Sequence, residues 1–567
     1  MVVVDSKIIF MGGIDLCFGR YEYPRYPLCE PVEGRTFFRG QDFSNPRIYD
    51  FENVGDHERC LIDKRTQPRM PWRDIAAALR GPIVKGMKRH FLQFWNFNNV
   101  QFSYKNSNLK LQDGEPIGMD MNRFLKKDNT GRKNTANLLG KLQKNVEGAN
   151  PLNRQRQDNL RAGLIPDDPE KGALGKNDRR PNPNKRWPRG IGSSQIVVEF
   201  QEASDDEVFE ENDEHDQAVA HMTEVPQTGD TGLTGSPGNF VCQGLRSASL
   251  WSIGLPVNMT EHSIQNAYLD LIRNAKHFVY LENQFFISST AGEPVTNRVI
   301  QELADRVLKA IAEGGNFIAY IVIPMLPGFG GNIGEKDGQL LRIQIEWHLR
   351  TIYRSPNSLI KQIMAKEPNW QKYVKIYGLR NHALMNGVPV SEIVYVHSKL
   401  IIVDDVYALL GSANINDRSL RGDRDSELAV LVEERVKVKG ICGGREVEKS
   451  GKVREFRINC WKSLFELDLD YEDPLNMDFQ DAVDNQASIN ENFYFKLFAF
   501  YPHNDYKFFS DIMVRKEQPS REYYDNNKDL VRGFLLPYPV HFLESEESVK
   551  DKYHDLGTTL MPDICFT

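Results

Sequence analysis

Little in this chain points to an oxidising compartment or a membrane-spanning role. Its seven cysteines, at 17, 29, 60, 242, 442, 460 and 565, form no CxxC pair. That argues against the clustered thiolates of a structural zinc site and against a disulfide scaffold, so a reducing, cytoplasmic setting is expected. The opening MVVVDSK has neither the basic start nor the long apolar core of a secretory signal. Apolar runs are short: the longest, near Phe317 to Leu326, is strand-sized, interrupted by Pro324 and stopped by Pro327. Positive charge is also in deficit. With a formal net charge of −7, nothing global favours nucleic acid, and contact with an anionic surface must come from local basic patches. No GxxxxGK[ST] is present, so GFGGNIG (Gly328 to Gly334) is expected to be a mobile loop near the site rather than a phosphate loop.

What is present is enough for substantial cores: 567 residues, 40% of them apolar. Strand-like and helix-like segments alternate, which argues for a layered α/β sheet. Residues 2–10 and Ile14 to Phe18 are expected to be strands. Asp74 to Phe94 has apolar residues at helical intervals (Ile75, Leu79, Ile83, Met87, Phe91) broken at Gly81 and Pro82, which predicts two consecutive helices. Thr260 to Ala275 is predicted as an amphipathic helix with a Thr cap, and Phe278 to Phe286 as a strand. A helix over 294–312, a strand over 317–323, helices over 339–353 and 357–366, and a strand over 374–377 follow. Leu428 to Glu433 should be a strand, Arg454 to Leu464 a helix, and RGFLLPYPVHFL (Arg532 to Leu543) a docked tail. Between these regions the composition changes. Residues 121–190 are rich in Lys, Arg, Asn and Pro, and 201–217 carry nine acidic residues with no Lys or Arg. Such stretches bury too little apolar surface to offset their ordering entropy, so a mostly disordered insert is expected, with Ile196 to Phe200 as one strand inside it.

The chemistry concentrates in Val394 to Glu427. Residues 393–403 read as one buried strand, on which His397 and Lys399 share a face while Leu400 and Ile402 take the other. Asp404 falls at the strand end, where it braces rather than reacts. A second apolar run, Tyr407 to Leu410, delivers Gly411, Ser412 and Asn414: two small residues that let an oxyanion approach the backbone, and an amide donor. Imidazole, ammonium and amide together suit phosphodiester chemistry. A lone histidine on a strand is ordinarily packed or solvated; the spacing of the whole set gives this one weight.

HxKxxxxD, six residues, then GSxN resembles the phospholipase D superfamily signature. Asp5, six residues, then Gly12, Gly13 and Asp15 repeats its second part, and the matching His and Lys would fall at positions −2 and 0, so an N-terminally truncated first half is expected. GGIDLCFGRYE, PRMPWRDIA, RHFLQFWNF, YLENQFF and GSANINDRS resemble the eukaryotic phosphatidylcholine-type subgroup in particular. The resemblance implies two pseudo-symmetric α/β halves with the site at their seam, divided as 1–105, an insert over 106–240, and 241–567. It implies that one imidazole attacks phosphorus while His397 protonates the departing choline, that Lys399 and Asn414 hold non-bridging oxygens, and that no metal or other cofactor takes part. It places Glu427 as the acid that hydrogen-bonds His397 and leaves Glu22 or Glu30 as its first-half counterpart. It also implies a phospholipid membrane surface as partner, with Lys85, Lys88 and Arg89 on phosphoinositide headgroups. A superfamily nuclease or cardiolipin-synthase-like enzyme, and a non-catalytic membrane-binding fragment, are the rival expectations.

Overall fold

The computed structural model describes residues 1–31, 34–105, 196–202, 217–224, 240–434, 436–512 and 518–550. The chain separates into two compact units, Met1–Gln101 with Gly190–Thr567, and Phe102–Arg189. Of the second unit only the end of one helix falls within the described residues, and of the insert expected over 106–240 only 196–202, 217–224 and 240 are described.

The first unit is built on one mixed sheet. At its start, β1 (Val2–Val4) and β2 (Ile8–Gly12) form a hairpin. After a long irregular stretch come β3 (Trp72–Arg73) and β4 (Ile75–Arg80), which pairs antiparallel with β2. Residues 14–18 are irregular rather than a strand. The helix expected over 74–80 is β4 instead: all but its last residue is buried between β2 and β5, and tertiary pairing overrides the helical spacing. The second helix does form, over Ile83–Lys105, directly after Pro82.

β5 (Ile196–Glu202), β6 (Gln217–Glu224), β7 (Phe240–Ser249) and β8 (Thr260–His262) lead into the second half. Because β8 pairs with β7, the following helix starts at Ser263 rather than at Thr260. β9 (Phe278–Asn283), β10 (Ile318–Val322) and β11 (Val374–Met385) lie side by side in parallel, separated by helices. β11 continues into a hairpin with β12 (Val388–Ile393), closed by Asn386 and Gly387, both at positive φ, an Asn-Gly pair of the kind that favours a two-residue turn.

The stretch read as one strand over 393–403 is two: β13 (Tyr395–Val396) and β14 (Lys399–Val403), parted at His397 and Ser398. β14 runs antiparallel to β9 and to β15 (Tyr407–Gly411), and β15 to β16 (Glu427–Glu434). Apolar side chains fill both faces of these central strands. Val279, Leu281, Ile401 and Val403 join one core cluster, and Phe278, Tyr280, Leu400 and Ile402 the other, as a doubly covered sheet requires. Helices Gly451–Phe465 and Met477–Phe498 cover the second face, the latter longer than anything the sequence pattern suggested there. The tail docks as expected as far as it is described: Leu535–Pro537 adds a short antiparallel strand to β11. Phe566 and Thr567 lie outside the described residues.

Candidate active site at the seam of the halves

A two-residue parallel pairing joins the halves. Tyr395 lies opposite Trp72 and Val396 opposite Arg73, so the next residues on each side, His397 and Asp74, meet. The His397 amide donates to the Arg73 carbonyl at 2.8 Å, fixing the backbone. His397 Nδ1 then lies 2.8 Å from Asp74 Oδ2, with the imidazole and the carboxylate both buried. In this arrangement Nδ1–H donates to the carboxylate and Nε2 is left for chemistry. Asp74 Oδ1 accepts from its neighbour's amide, Ile75 N–H, at 2.9 Å. Gly13 packs so tightly here that a Cβ would collide with Asp74 Oδ1 and lie 2.7 Å from the His397 carbonyl. Arg73 is anchored by a bidentate pair with Glu282 of β9 at 2.6 and 2.7 Å, wholly buried.

Lys399, one step into β14, donates to Gln284 Oε1 at 3.1 Å and to the His397 carbonyl at 2.5 Å. Burial pulls its pKa down to about 8, while Asp74, Glu427 and Asp15 oppose the shift. Burial, and next the Lys399 charge, also lower the pKa of His397, with Asp74 opposing. Gln284 donates in turn to Tyr395 Oη at 3.1 Å, and that hydroxyl also accepts from Gly328 N–H at 3.1 Å. The glycine-rich loop therefore does border the site. Tyr395, Trp72 and His397 form an aromatic wall, with Trp72 centroids 4.7 Å from Tyr395 and 4.9 Å from His397. Arg20 lies over the Trp72 ring at 3.6 Å and reaches Asp15 at 3.5 Å. Asp15 Oδ2 is 4.0 Å from His397 Nε2.

The other expected residues lie partly at this end of β14 and partly at the turn beyond its far end. Asp404 braces: its carboxylate accepts from the Lys276, His277 and Phe278 amides at 2.7, 2.8 and 2.9 Å. Asp5 sits exposed at the equivalent turn of the first half. Asn283, opposite Lys399 in the register, accepts from Ile415 N–H at 3.0 Å, which brings the Gly411–Asn416 loop with half-buried Asn414 to the same end of β14. At Gly411 a Cβ would strike the Leu428 carbonyl and Ala429, so this glycine serves close strand packing.

Glu427 does not touch His397; that place belongs to Asp74. The Glu427 carboxyl instead accepts from Ser412 Oγ at 2.5 Å and Ser419 Oγ at 2.6 Å. Burial raises its pKa to about 7, against those two hydrogen bonds. Nor is Glu22 or Glu30 the first-half acid. Glu22 is sealed against Arg69 at 2.8 Å and the Trp72 amide at 2.6 Å, and Glu30 pairs with Lys64 at 2.9 Å. Lys85 and Arg89 are exposed and Lys88 is half-buried on the helix 83–105.

The halves correspond at the hairpin glycines and at the acids of the strands they face. Gly12 packs on Ile75 and Ala76 as Gly411 packs on Leu428 and Ala429. Gly13 N–H donates to the Ile75 carbonyl as Ser412 N–H donates to that of Leu428. Asp74 is thus the counterpart of Glu427. Both acids open a strand of the form acid, apolar, Ala, apolar or Ala (DIAA, ELAV), a signal legible in the sequence. Trp72, Gln284, Tyr395 and Arg20 carried no such signal. A cleft of about 270 Å³ lies beside the Glu427 pair, lined by Gly12, His90, Phe94, Ser412 and Leu428 among others. Among the described residues no three His, Cys, Asp or Glu side chains converge as metal ligands.

A repeated hairpin whose seam pins an imidazole on a carboxylate beside a buried ammonium is an arrangement suited to acid–base chemistry at an anionic group. The chain belongs to the phospholipase D family, whose model it matches over residues 2–134, 182–393 and 390–499. It is 31% identical over 542 residues to a phospholipase D of Phytophthora infestans, covering 89% of this chain and 28% of that protein. It is 32% identical over 495 residues to phospholipase D zeta 1 of Arabidopsis thaliana, covering 81% and 44% respectively. The chain therefore spans less than half the length of either relative. Among solved structures, phosphatidylserine synthase of Haemophilus influenzae Rd KW20 is 16% identical with a TM-score of 0.23, covering 35% of this chain and 36% of that one.

Proposed function

We propose that this chain supplies part of a phospholipase D that hydrolyses phosphatidylcholine to phosphatidate and choline and transfers the phosphatidyl group to primary alcohols. The observation that carries this is the His397–Asp74 pair at 2.8 Å. With Nδ1–H committed to the carboxylate, the charged imidazole offers its Nε2 proton to the leaving oxygen, and its lowered pKa favours giving that proton up. A second imidazole attacks phosphorus, the P–O bond to choline breaks, and the choline oxygen takes the His397 proton. Neutral His397 then takes a proton from water or an alcohol, whose oxygen displaces the second imidazole from phosphorus. Lys399 and Asn414 balance the non-bridging oxygens.

Of the twelve histidines only His397 has a lysine two residues on, so on this reading the 567 residues alone turn over no substrate and do so once a second His-x-Lys element is supplied. Choline release from phosphatidylcholine, and phosphatidylbutanol formed in the presence of butanol, are the assays. Turnover by the 567-residue chain at ordinary enzyme rates, or by the supplemented protein with His397→Asn, sinks the two-imidazole scheme.

The same reading makes the protein a peripheral guest of a phospholipid surface. In support, Lys85 and Arg89 are exposed on the helix 83–105, which also exposes Phe91 and Trp95 at 38% and 47%. Changing Lys85, Lys88 and Arg89 together to Gln should weaken binding to phosphoinositide-containing liposomes by about 1 kcal/mol per charge, less in high salt. Equal co-sedimentation of parent and variant returns them to a solvated face.

A further inference from the structure

The correspondence of the halves breaks at a polar position beside His397. Counting from the paired glycines, Asp15 stands where the second half has Asn414. An amide can donate to a phosphate oxygen, whereas an ionised carboxylate only accepts and repels it. Yet Asp15 is at the site: its Oδ2 is 4.0 Å from His397 Nε2, and its side chain remains 55% exposed. Arg20 meets it at 3.5 Å from a fixed perch on the Trp72 ring, where it is 15% exposed. A carboxylate that stays half exposed beside the atom that protonates the leaving oxygen is placed to meet a cation carried by the substrate.

We propose that Asp15 is the specificity-determining residue for a cationic headgroup, its carboxylate facing the ammonium of a departing amino alcohol such as choline or ethanolamine, with Arg20 as the positioning residue that holds it when the site is empty. This rests on the phosphodiesterase function proposed above and adds to it the source of headgroup choice. In an amino alcohol the ammonium lies two carbons beyond the oxygen that receives the Nε2 proton, within ion-pair reach of a carboxylate placed 4.0 Å from that nitrogen. Neutral headgroups such as glycerol bring no cation to this carboxylate.

The test is equilibrium binding to the whole 567-residue chain, which needs no turnover. Phosphocholine and glycerol phosphate are titrated separately by calorimetry into the parent, Asp15→Asn and Lys399→Met proteins. The parent should bind phosphocholine roughly 10-fold tighter than glycerol phosphate. Asp15→Asn should weaken phosphocholine by about 10-fold and leave glycerol phosphate unchanged or tighter, since a charge-assisted contact of this kind is worth about a decade in affinity. Lys399→Met should weaken both alike. Equal binding of the two ligands by the parent, or an equal loss of both in Asp15→Asn, overturns the role of Asp15 and leaves the phosphodiester site standing. Failure of phosphocholine to bind at all overturns it too, while the function itself is judged separately on choline release.

Discussion

The hairpin over residues 2–12 and the hairpin over 399–411 close with the same turn. Asp5 and Ser6 have φ of 51° and 54°, Asp404 and Asp405 both 56°, and in each the fourth residue's N–H returns to the first carbonyl, Lys7 to Val4 and Val406 to Val403. Both central residues at positive φ is the twist-matched hairpin geometry that Asp tolerates. What is attached to that backbone differs. In the second half Asp404 caps three amides and Asp405 is buried against Lys449 and Arg457 at 2.9 and 2.6 Å; in the first, Asp5 and Ser6 face solvent. The second half carries His397, Lys399 and Asn414, and the first carries the acid that sets His397. Repetition of the frame preserved the sites where groups can be mounted and left the groups free to diverge.

The sharpest way to break this comparison is to remove the imidazole that the seam holds in place. His397→Asn, in a protein supplied with the second His-x-Lys element, should lower choline release by roughly 10² to 10⁴ while leaving thermal unfolding in place. Asp74→Asn asks whether the first half contributes orientation. It should cost on the order of 10² in rate, as for other carboxylates that orient a histidine, with circular dichroism unchanged; a rate within twofold of the parent would make Asp74 a bystander.

Other variants test the shared frame. Gly12→Ala and Gly411→Ala meet the same obstacle, a carbonyl and an alanine of the next strand, so each should destabilise by about 2 kcal/mol in denaturant titration. A large effect in only one half would show that the frame is not equivalent. The smallest effect expected is a pH slope. Glu427 titrates near 7 when folded, above its unfolded value of about 4.5, so the folded state binds more protons between these pH values. The stability it contributes is present below about pH 4.5 and is lost as pH rises through about 7. The stability of the parent minus that of Glu427→Gln should therefore fall across that window with a slope of about 1 kcal/mol per pH unit, and a flat difference would place the carboxylate in a better solvated setting than its contacts suggest.

Local pattern carried the α/β class, the signature and the bracing role of Asp404, because apolar alternation and turn residues act over a few neighbours. It failed where long-range pairing decides. Ile75 to Arg80 has helix-compatible residues but is clasped between two strands, and Ile14 to Phe18 is apolar yet has no strand to pair with. The acid on His397 was misassigned for the same reason: Glu427 is near in sequence, whereas Asp74 is reached only through the pairing of β3 with β13. Arg20 and Trp72 meet through a stacking contact that no spacing rule encodes.

That seam has a consequence for how the protein comes into being. His397 and Asp74 lie 323 positions apart, so the pair cannot form while the chain is still sorting its local contacts; closure across such a separation comes late and slowly. Neither half can preassemble the proton donor by itself. Catalytic competence thereby becomes a checkpoint on assembly: recovery of activity during refolding should trail recovery of helix and sheet signals, and the imidazole acquires its working tautomer only when the last long-range strand pairing is made.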